Sequence, residues 1–287
     1  MAVLEARPGG VHTRQLVIRP ANSGWTGVTT HLRDLTGYTD LLFTLSAHRI
    51  SVRYRQTALG IAWAVLQPLL MMLIFTGVFS VLVRMPSDGL PYALFAYTAL
   101  LPWNFFATAL TNGTSSLVGH TQLITRVYFP REILPLTYVI AAAFDFAIGC
   151  IVLIGLMAWY NVAITPHVWQ LIPIVLVLTA WSFALAMIFS AAQVRWRDVG
   201  MAVPLLVQLW MFASPVIYPL SAVPPTWRSW YLLNPMAGII ASFRDVLLHG
   251  RLLDPVPITY SALISAGALV GSYLVFKRAE ATMADVV

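Results

Sequence analysis

One carboxylate, Asp145, stands inside an apolar stretch that runs from Ile133 to Tyr160. An ionised acid in such a setting is costly, so residues of this kind face a protein interior or a water-filled cavity. Two chemistries fit: a proton relay or substrate contact, and an interhelical hydrogen bond, made by the protonated acid if need be. Proton-coupled carriers place several acids or basic partners within their spans, and the other long apolar stretches here carry no charge. The interhelical bond is therefore the preferred role. Other chemistry has no residues to support it. No GxxxxGK[ST] string occurs, and the single lysine, Lys277, precedes Arg278, so there is no lysine to cradle a nucleotide phosphate. The histidines at 12, 31, 48, 120, 167 and 249 form neither HExxH nor a close pair, and no metal site is expected. GxSxG is absent. The lone Cys150 excludes a disulfide within one chain and a cysteine metal cluster.

The elements that must hold these residues are apolar. Of the 287 residues, 59% are hydrophobic and 10% charged, whereas a soluble domain carries about 25% charged residues. A crossing helix needs about 20 apolar residues. Gly60–Val83, Tyr92–Val118, Val168–Val194, Val199–Pro219 and Pro257–Phe276 qualify without a charge, and Ile133–Tyr160 qualifies with Asp145 alone. Barrel strands alternate in polarity over about 10 residues, which these stretches do not. The expectation is an all-α integral membrane protein with six transmembrane helices and no cleavable leader. Six crossings put both termini on one side. Arg7, Arg14, Arg19, Arg33, Arg49, Arg53, Arg55, Arg126, Arg131, Arg195, Arg197, Lys277 and Arg278 fall on that side, against Arg84, Arg228, Arg244 and Arg251 on the other. The positive-inside rule makes the richer side cytoplasmic. The formal charge of +6 thus records orientation rather than a nucleic-acid partner.

Three further features stand out. Tyr38, Leu41, Leu42 and Leu45 form one helical stripe, followed at once by Arg49, Arg53 and Arg55. An N-terminal cytoplasmic interfacial helix fits, with arginines toward anionic headgroups. Trp230–Phe243 is an uncharged run of 14 residues broken at Asn234-Pro235, a length that reads as re-entrant or interfacial. A re-entrant helical hairpin before the last span is expected. An amphipathic helix on the outer surface fits equally well. Gly267 and Gly271 form a GxxxG, which supports close helix packing. The resulting segments are a cytoplasmic tail over 1–37, an interfacial segment over 38–57, one six-span domain over 58–278 and a cytoplasmic tail over 279–287.

Several strings, in order, carry a family resemblance: Arg53-Tyr54-Arg55-Gln56-Thr57-Ala58-Leu59-Gly60 with Trp63 and Gln67-Pro68; Val127-Tyr128-Phe129-Pro130-Arg131-Glu132-Ile133-Leu134-Pro135; Val194-Arg195-Trp196-Arg197-Asp198; then Ser214-Pro215-Val216-Ile217-Tyr218, Asn234-Pro235 and Phe243-Arg244. Over roughly residues 38–278 the chain resembles ABC-2 type permeases that export polysaccharides: O-antigen or lipopolysaccharide, teichoic acid and capsule. One departure is visible upstream of Arg53-Tyr54. Family members carry an Arg-Asp pair where this chain has His48-Arg49, so an ion pair from that acid to the ATPase is not carried over.

The resemblance implies a homodimer of this chain beneath which two copies of a separate ABC ATPase dock. It implies no cofactor on this chain, since ATP and magnesium would belong to the partner, and a lipid-linked glycan substrate crossing the bacterial inner membrane. Arg53, Tyr54, Arg55, Arg126, Tyr128, Phe129, Pro130, Arg131 and Glu132 are then the residues that couple to the ATPase. Tyr218, Trp227, Trp230, Tyr231, Asn234 and Pro235 form the outer gate region. Sugar rings stack on aromatic faces, which makes Trp63, Phe75, Tyr97, Trp103, Phe105, Phe106, Trp181 and Trp210 channel candidates, although membrane aromatics more often pack helices or sit at interfaces. A permease for a drug or small lipid shares the same plan. A secondary transporter is a rival of another class, and it predicts internal repeats and midplane charges.

Overall fold

The computed structural model describes residues 37–55, 57–127 and 129–286, and every regular element among them is a helix. Residues Leu41–Val287 form one compact unit, and of the other, Met1–Asp40, only residues 37–40 are described. The expected tail over 1–37 therefore lies almost wholly outside the described residues, and Tyr128 and Gln56 also lie outside them.

The first helix, α1 (Thr39–Arg55), has Asp40 in its first turn and Arg53 and Arg55 in its last. Both signs complement the helix dipole. Leu41, Leu42, Leu45 and Arg49 are half-buried and Ser46 is buried, one line at helical spacing. Phe43 and Val52 lie exposed on other faces. The stripe thus faces protein, and Arg49 is half-buried, whereas Arg53 and Arg55 are exposed. Gly60 then turns the chain with a φ of 53°, a left-handed conformation that glycine adopts without penalty.

Five helical stretches are long and apolar enough to cross a membrane: Ala62–Leu82, Tyr92–Thr114, Ile133–Trp159, Pro166–Arg195 and Pro255–Glu280. The first combines α2 (Ala62–Phe75) with a π-helical turn, Thr76–Leu82. The second is α3 (Tyr92–Thr114), largely apolar and buried along most of its length, as expected of a helix at the centre of a bundle. It packs against α2 and the helices described next. A short α4 (Thr121–Arg126) leads to α5 (Ile133–Trp159), and α6 (Leu171–Arg195) to α7 (Val199–Phe212). After α7 come α8 (Pro225–Tyr231), α9 (Pro235–Leu247) and α10 (Pro255–Val286). Besides α2, the neighbours of α3 are α5, α6, α7 and α9, while α10 packs against α6 and α9.

The fifth expected span is where sequence and structure part. Its helix stops at Phe212 after 14 residues, about 21 Å at 1.5 Å per residue against a hydrocarbon core of about 30 Å. The chain continues to Pro219 in turns. Pro215 cannot continue a helix, and side chains elsewhere take over the freed carbonyls. The glycines also redistribute. A Cβ on Gly113 would lie 2.7 Å from that of Ala186, and one on Gly149 would lie 2.4 Å from Leu101 Cδ2. Helices of the chain approach closely at these positions and not at the GxxxG. Gly267 and Gly271 have open space within the chain.

Candidate functional site

Three polar constellations interrupt the apolar bundle. The first joins α1 to α5. Arg53 forms an ion pair with Asp145, and the Tyr54 hydroxyl donates to the same carboxylate. One α-turn earlier, Arg49 Nε donates to Thr137 Oγ1 at 2.6 Å and its guanidinium stacks 3.5 Å above the Tyr138 ring. Arg49 and Arg53 share a face of α1 because they are four apart. Asp145 is twelve residues into α5, about 18 Å along its axis, so α1 anchors the chain well inside the helix bundle. Asp145 takes up the interhelical role. The two arginines that were expected to meet headgroups bond to protein instead.

A crevice of about 240 Å³ opens beside this cluster. Arg53, Tyr54 and Asp145 border it, together with Trp63, Gln67, Asn104 and Thr108. Charged groups, amides, a hydroxyl and an exposed indole there share one concavity. It can accept hydroxyl hydrogen bonds while offering an aromatic face.

The other aromatic channel candidates are placed differently. Phe75, Tyr97, Trp103, Phe105, Phe106 and Trp181 are buried in the core of the protomer, the ring of Tyr97 completely so. Edge contacts tie Trp103 to Phe106, Phe106 to Trp210 and Trp210 to Trp181. Their apolar burial against one another, rather than a polar lumen, is what the described structure gives them. Trp63, exposed, and Trp210, half-buried beside an apolar groove of about 450 Å³, reach a surface, and the largely buried Phe105 lines the crevice beside Trp63.

The second constellation lies at the break after α7. Four consecutive carbonyls receive side-chain donors. Arg244 Nη1 donates to Pro215 O at 2.6 Å and Tyr218 O at 3.4 Å, and its Nη2 to Val216 O at 2.7 Å. The Tyr92 hydroxyl donates to Ile217 O at 2.8 Å. Arg244 Nε also donates to Phe95 O at 3.2 Å, and its guanidinium lies 3.5 Å over the Phe95 ring. Unwound backbone inside a membrane protein must find such partners. Asn234 caps α9 by accepting from Met236 N at 3.1 Å, and its amide donates to Ser214 Oγ at 2.9 Å. Its Oδ1 also accepts from Trp210 Nε1 at 3.2 Å. The Tyr218 and Tyr231 hydroxyls are 2.9 Å apart. Among the outer-gate residues, Pro235 is buried at the first turn of α9, whereas Trp227 and Trp230 project from α8, exposed. Arg244 entered the sequence reading as a charge on one side and as part of the Phe243-Arg244 string, with no role assigned to it. Its signal was an arginine ending an apolar run downstream of Pro215 and Pro219, whose carbonyls no helix could use.

The third constellation is on the expected cytoplasmic side. Lys277 Nζ donates to Glu132 Oε2 at 3.0 Å and to Glu280 Oε2 at 2.8 Å. Arg131 Nη1 donates to Glu280 O at 2.9 Å, and its backbone N to Glu280 Oε1 at 3.4 Å. Glu132 and Phe129 are buried inside the protomer, so they support the 126–132 connection from beneath rather than present a docking face. Arg126 and Val127 are its exposed members, with Pro130 and Arg131 half-buried. Nearby, His120 Nδ1 lies 2.9 Å from Ser116 O. Burial, and then the positive charge of Arg49, push its pKa below the usual histidine range, with the Ser116 contact opposing them. Among the described residues no group of acids, histidines and cysteines is arranged to hold a metal.

Comparison with known proteins follows the same layout. The family described as ABC-2 type transporter matches residues 40–248. An O-antigen export system permease protein RfbA of Myxococcus xanthus is 32% identical over 256 residues, covering 88% of this chain and 98% of that one. A protein of the same name from Klebsiella pneumoniae is 28% identical over 84% of this chain and 94% of its own. The polysialic acid transport protein KpsM of Escherichia coli is 20% identical over 83% and 93%.

Proposed function

The chain belongs to the ABC-2 type transporter family, and we propose on that footing that it is the membrane subunit of an ATP-driven exporter of lipid-linked polysaccharide. The observation that carries the proposal is the similarity to O-antigen export permeases over 88% of this chain and 98% of the relative. Two copies of the chain form the path. Two copies of a separate ATPase supply ATP, magnesium and the hydrolytic chemistry, and Arg126 and Arg131 on the 126–132 connection meet them. The chain crosses the inner membrane six times with both ends cytoplasmic. The fifth crossing is completed by the turns after α7, and α8 and α9 dip back from the outer side. The crevice bordered by Trp63 and Asp145 suits a sugar, whose ring has apolar faces and whose hydroxyls need partners.

The test is affinity purification of the chain from its native host, followed by identification of what accompanies it. An ABC ATPase subunit and a polyprenyl-linked glycan are expected. ATP turnover by the isolated chain, or purification with a drug-sized or short lipid cargo and no glycan, would reject the proposal.

A further inference from the structure

α10 contacts both the 126–132 connection and α9. At its cytoplasmic end, Lys277 and Glu280 hold Arg131 and Glu132 of the 126–132 connection through the bonds described above. The Glu132 carboxylate is almost fully buried, 2% exposed, and Lys277 is its cationic partner. A buried acid left without that cation is strongly destabilised, so the joint is stiff. At the other end, α10 meets α9 at a glycine, with only the short Ser261 side chain between them. A Cβ on Gly238 would lie 2.3 Å from Ser261 Oγ and 2.4 Å from Pro257 O, and Ser261 Oγ donates to Pro235 O at 2.9 Å. The first turns of α9 and α10 are therefore in backbone contact. Between Ser261 and Lys277 the helix is unbroken, sixteen residues or about 24 Å.

We propose that α10 is a rigid connecting rod that carries displacement of the 126–132 connection to the outer hairpin, with Lys277 the positioning residue that fastens its cytoplasmic end. This rests on the docking of an ATPase at that connection. Force applied there moves Glu132 and, through Lys277, the rod. The rod moves α9, since Gly238 lies against Pro257 O and the short, hydrogen-bonded Ser261 side chain, with no long side chain to absorb the motion. Lys277 touches neither nucleotide nor glycan and acts only through the joint.

The experiment uses the full chain co-expressed with its partner ATPase and reconstituted in nanodiscs. In a Cys150→Ser background, S229C places a thiol on exposed α8, and a membrane-impermeant maleimide reports its accessibility with and without ATP. The parent complex should show an ATP-dependent change in labelling rate. Lys277→Met should abolish that change and lower glycan export about tenfold, while ATPase co-purification and ATP turnover persist. Lys277→Arg should restore both. The Glu132→Gln/Lys277→Met pair strands no buried charge, so it should fold normally and still lose the change. If that pair regains the ATP-dependent labelling, Lys277 serves stability alone and the rod is rejected. If the parent complex binds its ATPase and Lys277→Met labels like the parent, the rod is rejected while the exporter assignment stands. If the parent chain retains no ATPase, both fall together.

Discussion

Arg53 and Asp145 are 92 positions apart in the chain and form an ion pair where α1 meets α5. The pair explains how one acid persists within an apolar span. It also ties the segment before the first crossing to α5. The Tyr54 hydroxyl completes the carboxylate's partners from the same helix end.

Replacing Asp145 with Asn should destabilise the purified protein by about 1–2 kcal/mol. That is less than the roughly 3–5 kcal/mol of a fully buried pair, because the Arg53 side chain keeps 40% of its exposure. A double-mutant cycle with Arg53→Gln, read by thermal unfolding in detergent, should show coupling. Simple additivity would argue against an energetic bond.

Arg244→Lys should fail to replace the arginine. A lysine ammonium cannot span carbonyls at Pro215, Val216, Tyr218 and Phe95 as a planar guanidinium does. Each buried carbonyl left unsatisfied costs about 1–3 kcal/mol. The expected result is loss of monodisperse protein or a Tm drop of many degrees. A variant of unchanged stability would show the carbonyls finding other donors.

Trp63→Ala and Tyr97→Ala should separate function from folding. Trp63 is exposed at the crevice, so its loss should reduce export while leaving Tm nearly unchanged. Tyr97 is fully buried, and truncation of a large buried aromatic costs about 3–5 kcal/mol. Parallel export and melting assays distinguish them. A large Tm loss in Trp63→Ala would remove the distinction.

Stability should fall on mild acidification through His120. Its folded-state pKa is depressed by burial and by Arg49, so the neutral form is favoured in the fold. Near neutral pH both folded and unfolded histidine are neutral, and the site is indifferent. As pH drops below the ordinary value of about 6.5, the unfolded chain gains the proton first and stability declines. Melting at pH 7.5 and pH 5.5 should show a loss that shrinks in His120→Gln. Equal losses in both proteins would assign the effect elsewhere.

Much of the architecture was legible because hydrophobic length is a direct constraint. Ile133–Tyr160 was read as a span and the helix runs Ile133–Trp159. The break in the apolar run at Asn234-Pro235 is where α9 begins, with Asn234 as its N-cap and Pro235 in its first turn. What stayed hidden depended on contacts between distant segments. Nothing in the spacing of Arg49, Arg53 and Arg55 says that two of them bond to α5 rather than to lipid. Glu132 and Phe129 sit in a charged, aromatic connection that suits an exterior surface, yet Lys277, 145 positions away from Glu132, draws the acid inward. The placement of the aromatics was hidden for a related reason. Composition reports that rings are present, and only packing tells which of them face one another.

The 14 helical residues of α7 carry a consequence for the surrounding lipid. A helix about 21 Å long cannot match a bilayer about 30 Å thick, and mismatch costs fractions of a kcal/mol per ångström. The rest of that crossing falls to the turns after α7 rather than to regular helix, so this flank should respond to acyl-chain length. Transport in liposomes of shorter-chain phospholipid should exceed that in longer-chain liposomes. A flat dependence would mean that the turns after α7 span the missing thickness unaided.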